Sequence, residues 1–463
     1  MPGRDAVQGA AGPGLGAAFA RTAPFLTVLL ALLALGGRAL AWPMAFDDLH
    51  LLRRFTSDQM LAAFHGSWDP ERLMTRGLRP LTLVFNHVRT VAFGEDVVAH
   101  RLAVMVLLAA YWALLVPVAR RVGTPRRAVA LAGVLFVCSP YSVFHYVWIT
   151  DGNHALQGLA FAGSAWLLCV GLERGSWLRL GLSLVALALG ALVREDTLAT
   201  LPALLLLGAF VARARTARLR FAAHAIGALG TCAALLLYRW RVIAKVMTPG
   251  TNWEGLAEHA RKAMAPAGLM TFDAPSSVLV PLAIAAAVAT GVALLALVAG
   301  ERRSGAVFWL AAALLACAPG LTVARDDLLL FPVSFASLAL TTAWNEIVRS
   351  RPRLRAAVAV GALLVAVGGA HVSLVYAENF HPRSLRLAWW NGRYLYGAYS
   401  ERATMPDDRR AASVAHLGSL GIHNARHHLR RTWKLVRRAI AEGRRRPSSD
   451  GRPFYPLLPW PED

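Results

Sequence analysis

Lysine is almost missing from this chain: 46 of its 49 basic residues are Arg, and only Lys245, Lys262 and Lys434 are Lys. We attach no function to that choice. Charge of either sign is scarce, at 16% of residues against roughly 25% in soluble domains. With 56% apolar residues and a positive mean hydropathy, this excludes an ordinary water-soluble protein and implies a polytopic membrane protein. Cysteine is also sparse. Cys138, Cys169, Cys232 and Cys317 all sit inside apolar runs, so they draw neither a disulfide framework nor a zinc-ligand spacing. Internal repeats and low-complexity segments are lacking as well. A net charge of +22 would suggest nucleic acid in a soluble protein. Here most of the arginines lie in short loops between apolar runs, where membrane topology accounts for them first, and no nucleic-acid partner is expected.

A membrane-crossing helix needs about 20 mostly apolar residues, because it rises 1.5 Å per residue through about 30 Å of hydrocarbon. That rule predicts about eleven spans, starting near Ala23, Leu102, Ala128, His154, Trp177, Thr197, Phe221, Val278, Ala306, Leu328 and Ala356. The fifth and sixth form a hairpin with Arg194, Glu195 and Asp196 at its turn. "ALA" at 39–41 resembles a signal cleavage site, but the run from Ala23 to Trp42 is long enough to span, and we read it as an anchor. The expected organisation is a cytoplasmic segment 1–22, a transmembrane core 23–378 with a long first outer loop 43–100, and a basic, partly helical tail 379–463.

Every even-numbered span ends in a basic loop: Arg120, Arg121, Arg126 and Arg127; Arg174; Arg213, Arg215, Arg218 and Arg220; Arg302 and Arg303; and Arg349, Arg351, Arg353 and Arg355. Positive loops stay in the cytoplasm, so the other loops face outward in a multi-pass protein of the inner (plasma) membrane. The outward loops carry the informative acids: Asp47 and Asp48, then Asp151, then Glu195 and Asp196, then Asp326 and Asp327 beside Arg325. Ionisable residues gathered on one membrane border point to a functional surface. In the first outer loop, "RPLTLVFNHVRTVAF" has apolar residues at helical spacing, and amphipathic helices are expected to lie there over a cavity at the bilayer edge. The tail holds 16 Lys and Arg against 7 Asp and Glu and suits either anionic head groups or solvent.

Three stretches together resemble the GT-C superfamily of membrane glycosyltransferases, which includes protein O-mannosyltransferases and aminoarabinose transferases. "DDLHL" at 47–51 is similar to an Asp-Glu-x-His-Phe motif, with Asp47, Leu49 and His50 fitting and Asp48 and Leu51 departing. "GLRPLTLVFNHV" followed by "GEDVVAHRLAV" looks like a stretch in which Arg-Pro-Leu opens a surface helix and a His precedes the next span, here Arg79, Pro80, Leu81 and His100. "REDTLATLPALLLL" and "ARDDLLLFPVSFASLAL" are similar to charged openings of later spans. The resemblance covers roughly residues 20 to 350 and implies a GT-C-like all-α fold.

It also implies an activity: transfer of a sugar from a polyprenyl-phosphate-linked lipid donor to an extracytoplasmic protein, lipid or glycan, with inversion at the anomeric carbon. The leaving phosphate is already good, so a positioned base is what the acceptor needs, and such a base contributes about 100- to 10,000-fold. On this reading Asp47 is the base and Asp48 holds the acceptor or orients His50. Arg325 and then Arg79 receive the donor phosphate through paired guanidinium hydrogen bonds, while His50, Asp151 and Glu195 contact substrate. No cofactor is expected; a divalent cation on Asp47, Asp48 and a distant histidine ranks below a metal-free site. The alternative is a polytopic transporter or lipid flippase. Transporters place ionisable groups near the midplane in paired repeats, whereas here the conspicuous ones inside the first and last spans are only Arg38 and His371. The topology is testable directly: a single cysteine placed at position 47 should react with an impermeant maleimide from outside the cell, and labelling from the cytosol alone would overturn the assignment.

Overall fold

The computed structural model describes residues 15–40, 51–52, 54–66, 68, 77, 79–94, 96–242, 253–264, 305–321 and 328–390. Among these residues there are helices and turns and no strands. The α-helices are α1 (Leu15–Gly36), α2 (Ser57–His65), α3 (Pro80–Phe93), α4 (Val97–Arg121), α5 (Arg126–Val137), α6 (Val143–Val147), α7 (Asn153–Arg174), α8 (Trp177–Val193), α9 (Leu201–Val211), α10 (Arg215–Val242), α11 (Trp253–Met264), α12 (Gly305–Ala316), α13 (Leu330–Ser350) and α14 (Arg355–Trp390). Helix ends are marked by local chemistry. Thr56 and Gln59 cap α2 reciprocally, at 3.2 and 3.0 Å, and Asp96 accepts from the Ala99 amide at the start of α4. Gly175 closes α7 in the left-handed conformation, and Ser176 opens α8 one residue later.

Among the described residues, four segments are long and apolar enough to cross a membrane: Val97–Arg121, Asn153–Arg174, Arg215–Val242 and Pro352–His371. The chain is therefore an all-α protein built for association with a membrane. Described helices cover or adjoin ten of the eleven expected starts, although only the four segments above are long and apolar enough to span; the start near Val278 lies outside the described residues. The hairpin turn expected at Arg194 to Asp196 is there, as a 3-10 turn over Glu195–Thr200 between α8 and α9. The last helix runs unbroken through the boundary expected at 378.

Several helices are shorter than the apolar runs that carry them. With 12, 11 and 12 residues, α5, α9 and α12 each span only about 16–18 Å. Their missing turns fall at one end of the bundle, where 3-10 turns replace them: Pro140–Ser142 after α5, Glu195–Thr200 before α9 and Ala318–Leu321 after α12. Ser-Pro at 139–140 explains the first break, since proline disfavours helical geometry in the residue before it and removes an amide donor.

The core is aromatic. Phe161 of α7 lies 5.2 Å from Phe331 and 5.4 Å from Phe335 of α13, and Phe335 lies 5.6 Å from Trp309 of α12. Polar contacts reinforce it, as packing inside a bilayer requires when the apolar effect between helices is absent. Ser164 of α7 and Ser183 of α8 each donate to the other's carbonyl at 2.9 Å, and His224 of α10 reaches Ser183 Oγ at 3.1 Å. The outside is apolar too: Leu219, Ile226, Leu229, Leu236 and Leu237 on α10 and Leu178, Leu182, Val185 and Leu189 on α8 are exposed. Trp177 and Trp240 are exposed at opposite ends, the position of an interfacial aromatic belt.

The two ends differ chemically. At the arginine-rich end, Arg121 at the close of α4 grips Glu173 of α7 through two bonds of 2.6 and 2.7 Å, and Arg127 of α5 reaches Asn345 of α13. Buried Thr124 links Thr342 and Trp309 at 3.0 and 2.9 Å. There the first residue of α12, Gly305, lies so close to the Val122 carbonyl that a Cβ would collide with backbone. Gly305→Ala should therefore push α12 off the α4–α5 turn and cost about 1–3 kcal/mol, read as a lower Tm in detergent; an unchanged Tm would refute this contact.

Candidate functional site

The opposite, acid-bearing end brings together Arg79, from the first long loop, with Arg194, Glu195 and Asp196 of the α8–α9 turn. Backbone bonds fix the α8–α9 turn: the Arg194 amide donates to the Gly190 carbonyl at 2.9 Å. Thr197 donates to the same carbonyl at 2.9 Å, and Thr200 to the Thr197 carbonyl at 2.7 Å. Thr82 of α3 donates to the Val193 carbonyl at 2.7 Å, tying the first long loop to this turn.

On that frame, Arg79 donates from Nε and Nη2 to the two Glu195 oxygens at 2.9 and 3.0 Å. The pair joins residues 116 positions apart and is about four-fifths buried, each side chain being 18% exposed. Arg239, near the close of α10, places Nη2 4.0 Å from Glu195 Oε1, and Arg194 donates from Nε to Asp196 at 3.1 Å. Three guanidinium groups thus surround two carboxylates. Trp68 carries the Arg79 guanidinium 6.0 Å from its ring centroid. Gly77 covers the ion pair: its φ is +119°, and a Cβ there would sit 2.9 Å from Glu195 Oε1 and 3.1 Å from Arg79 Nε. Both the backbone angle and the close approach demand glycine.

Burial alone would raise the Glu195 carboxyl. The Arg79 charge and hydrogen bonds outweigh it and, against Asp196 and with help from Arg239, hold Glu195 below its ordinary 4.5. Asp196 is likewise raised by burial but held well below the usual carboxylate range by Arg194, then His154 and Arg79, with the Gln157 amide adding least. Both acids are ionised at neutral pH and are poor proton acceptors, so their part is to fix arginines rather than to act as bases.

Beneath this cluster is a buried polar layer. The inward face of α3 is Thr82, Leu83, Asn86, Arg89 and Thr90, while Val88 and Val91 are exposed. The amphipathic helix expected in the first loop is present, yet its polar side turns into the protein and its apolar side out. That is the orientation lipid favours when the interior is polar. Arg89 donates to the Ile149 carbonyl at 3.0 Å and lies against Gly152. The His154 ring lies 4.7 Å from that of His145, tilted by 54°, and contacts Gln157 Oε1 at 3.2 Å. Among the described residues, the buried Asn86 Nδ2 and Asn153 Oδ1 atoms have no hydrogen-bond partner.

Of the residues singled out in the sequence, Arg79 and Glu195 are brought together directly. Asp151 lies in the 3-10 turn Thr150–Gly152, and its side chain is outside the described set. Asp47, Asp48, His50 and Arg325 also lie outside the described residues. The flanks of the Asp47 stretch are fixed at this end: Arg101 donates to the Leu40 carbonyl at 2.9 Å, and Leu51 is buried with Phe55, Trp68 and Leu83. Among the described residues, no three His, Cys, Asp or Glu side chains converge as a metal would require. Sequence reasoning missed Arg239, Arg194 and the Asn86–Gln157 layer. The local signal for Arg239, "YRWRV" closing an apolar run, reads as a membrane anchor. No family model, curated protein or solved structure matches the chain.

Glu195→Gln should cost about 2 kcal/mol, between the exposed and buried limits for a broken ion pair. Arg79→Gln in the same background should add little. Because the folded-state value of Glu195 is depressed, the pair's stabilisation is complete above about pH 4.5 and is lost as pH falls through the lower folded value. The wild-type advantage in Tm over the double variant should therefore persist at pH 6 and shrink as pH falls below 4.5. Full additivity of the two substitutions would sink the pairing.

Proposed function

We propose that this chain is a membrane glycosyltransferase of the GT-C type, moving a sugar from a polyprenyl-phosphate-linked donor to an acceptor on the extracytoplasmic side of the inner membrane. What supports this reading is the gathering, among the described residues, of the Arg79, Arg194 and Arg239 guanidinium groups around Glu195 and Asp196. That cluster sits at the end opposite the arginine-rich loops, where a departing lipid phosphate would need cations held at the membrane border.

In the reaction, the acceptor oxygen attacks the anomeric carbon and its proton passes to Asp47. The carbon–oxygen bond to phosphate breaks, and the polyprenyl phosphate leaves with the electron pair. Glu195 and Asp196, fully ionised and bonded to arginines, do not compete for the base role. The Nε and Nη2 edge of Arg79 is occupied by Glu195, which leaves its Nη1 side for a phosphate oxygen. Arg325 is the second cation of this reading, and His50 and Asp151 take the acceptor and sugar.

Deleting the gene should remove one sugar from an envelope glycan or lipid, detected by mass spectrometry. Complementation with wild type should restore it. Asp47→Asn should insert at normal levels and restore at most about one part in 100, the lower bound of a general base's contribution. An unchanged envelope in the deletion strain would defeat the reading.

A further inference from the structure

The α7–α8 turn and the opening of α10 meet at the arginine-rich end. Arg220, half-buried on the second turn of α10, lays its guanidinium over Gly175, where a Cβ would sit 2.6 Å from Nη1 and 2.8 Å from Cζ. That contact brings Arg220 against the turn between Arg174, the last residue of α7, and Arg179, half-buried on the first turn of α8. Arg213, Arg215 and Arg218, all exposed, lead into and open α10. Among the described residues, none of these six side chains has an ion pair or hydrogen bond. The neighbouring acid, Glu173, gives both oxygens to Arg121. Elsewhere at this end the chain supplies a partner, Glu173 for Arg121 and Asn345 for Arg127. Here it supplies none, and unmatched like charges repel, so an anion from outside the chain would meet no competing carboxylate.

The surface around these arginines is apolar. Trp177, Leu178 and Leu219 are exposed at 60%, 73% and 66%, which puts the cluster at the border between hydrocarbon and head groups. From that border, Leu178, Leu182, Val185 and Leu189 run along α8, and Leu219, Ile226 and Leu229 along α10, all of them exposed. Each row is about 15–17 Å long, roughly the depth of one leaflet. We propose that Arg174, Arg179 and Arg220, with the arginines that open α10, hold the head group of an anionic phospholipid carrying two phosphates, its acyl chains lying along the two rows. Two phosphates suit two basic turns joined by the Arg220–Gly175 contact, and guanidinium forks match phosphate oxygens. An acidic protein segment would match the charge but leave the apolar rows unused. The site lies at the end opposite the Arg79–Glu195 pair and does not depend on the transferase reading, since its lipid is a bound membrane component and not a reactant.

The probe is a radiolabelled tetra-acyl diphosphatidylglycerol, offered to the purified full chain in neutral detergent. Unlabelled diphosphatidylglycerol, phosphatidylglycerol, inorganic pyrophosphate and a polyglutamate peptide serve as competitors. At equal phosphate concentration the two-phosphate lipid should compete about tenfold better than phosphatidylglycerol, as added charge-assisted hydrogen bonds imply. Neither pyrophosphate nor the peptide should displace it. Arg174→Gln combined with Arg220→Gln should weaken retention about tenfold or more. The same loss of charge at the same end, Arg353→Gln combined with Arg355→Gln, should leave it nearly unchanged. The comparison of competitors uses wild type alone and needs no variant to fold. Equal competition by phosphatidylglycerol would reduce the site to ordinary head-group contact. Displacement by pyrophosphate would make it a soluble-anion site, and displacement by the peptide a surface for an acidic protein. A loss in the folded Arg174 and Arg220 variant no greater than in the Arg353 and Arg355 variant would leave only diffuse charge. Each of these overturns the proposal.

Discussion

A backbone amide or carbonyl left unpaired in hydrocarbon costs several kcal/mol, and the shape of this protein's acid-bearing end follows from that constraint. Helices α5, α9 and α12 all give up their last or first turns at that end. The 3-10 turns that replace them have too few internal bonds to face lipid. They are covered instead by protein: the Glu195–Thr200 and Ala318–Leu321 turns touch one another, and α11 packs across the second. Irregular backbone at membrane depth persists only where protein buries it or water reaches it. The same end holds the buried arginines Arg89 and Arg194, the ionised acids and, among the described residues, the unpaired amide atoms of Asn86 and Asn153. A polar interior and broken helices therefore come as a pair, each making the other tolerable.

Electrostatics follows from this arrangement. At the arginine-rich end the ion pair Arg121–Glu173 lies near solvent, where its worth is small, and most of the other arginines there face water. At the acid-bearing end the charges lie deeper, and Glu195 and Asp196 are each matched to a guanidinium. Removing one partner would strand a charge, so the cluster is rigid by necessity. Rigid, oriented donors are what a site needs if it is to stabilise a phosphate without first reorganising.

The features that depend on runs of residue type were legible in the sequence. Apolar length located most helices, the Arg194–Asp196 triplet marked a turn because three charges cannot sit in mid-membrane, and the alternation of arginine-rich loops separated the two ends. Features that depend on partnership were not. Nothing near Arg79 points to Glu195, 116 residues away, and the sequence reading gave the two residues separate roles, phosphate for one and substrate for the other. Arg239 merely closes an apolar run in the sequence, because hydropathy cannot say which way a side chain turns. Hydropathy also counts residues rather than hydrogen bonds, so the run through α5 looked like a full span although its helix stops at Val137.

Helix α3 shows how the surroundings invert a familiar rule. In water, its apolar stripe would face the core and Thr82, Asn86 and Arg89 would be solvated. Here the apolar Val88 and Val91 face outward and the polar stripe is buried. The sequence has the same period either way, so the pattern fixes the two faces but not which one is inside. The decision falls to the partners: Thr82 finds the Val193 carbonyl and Arg89 the Ile149 carbonyl, bonds that hydrocarbon could not supply. A surface helix that buries its donors against the ends of α8 and the α5–α7 connection is a structural cover for the polar layer below, and its Arg79 end is where that cover meets Glu195.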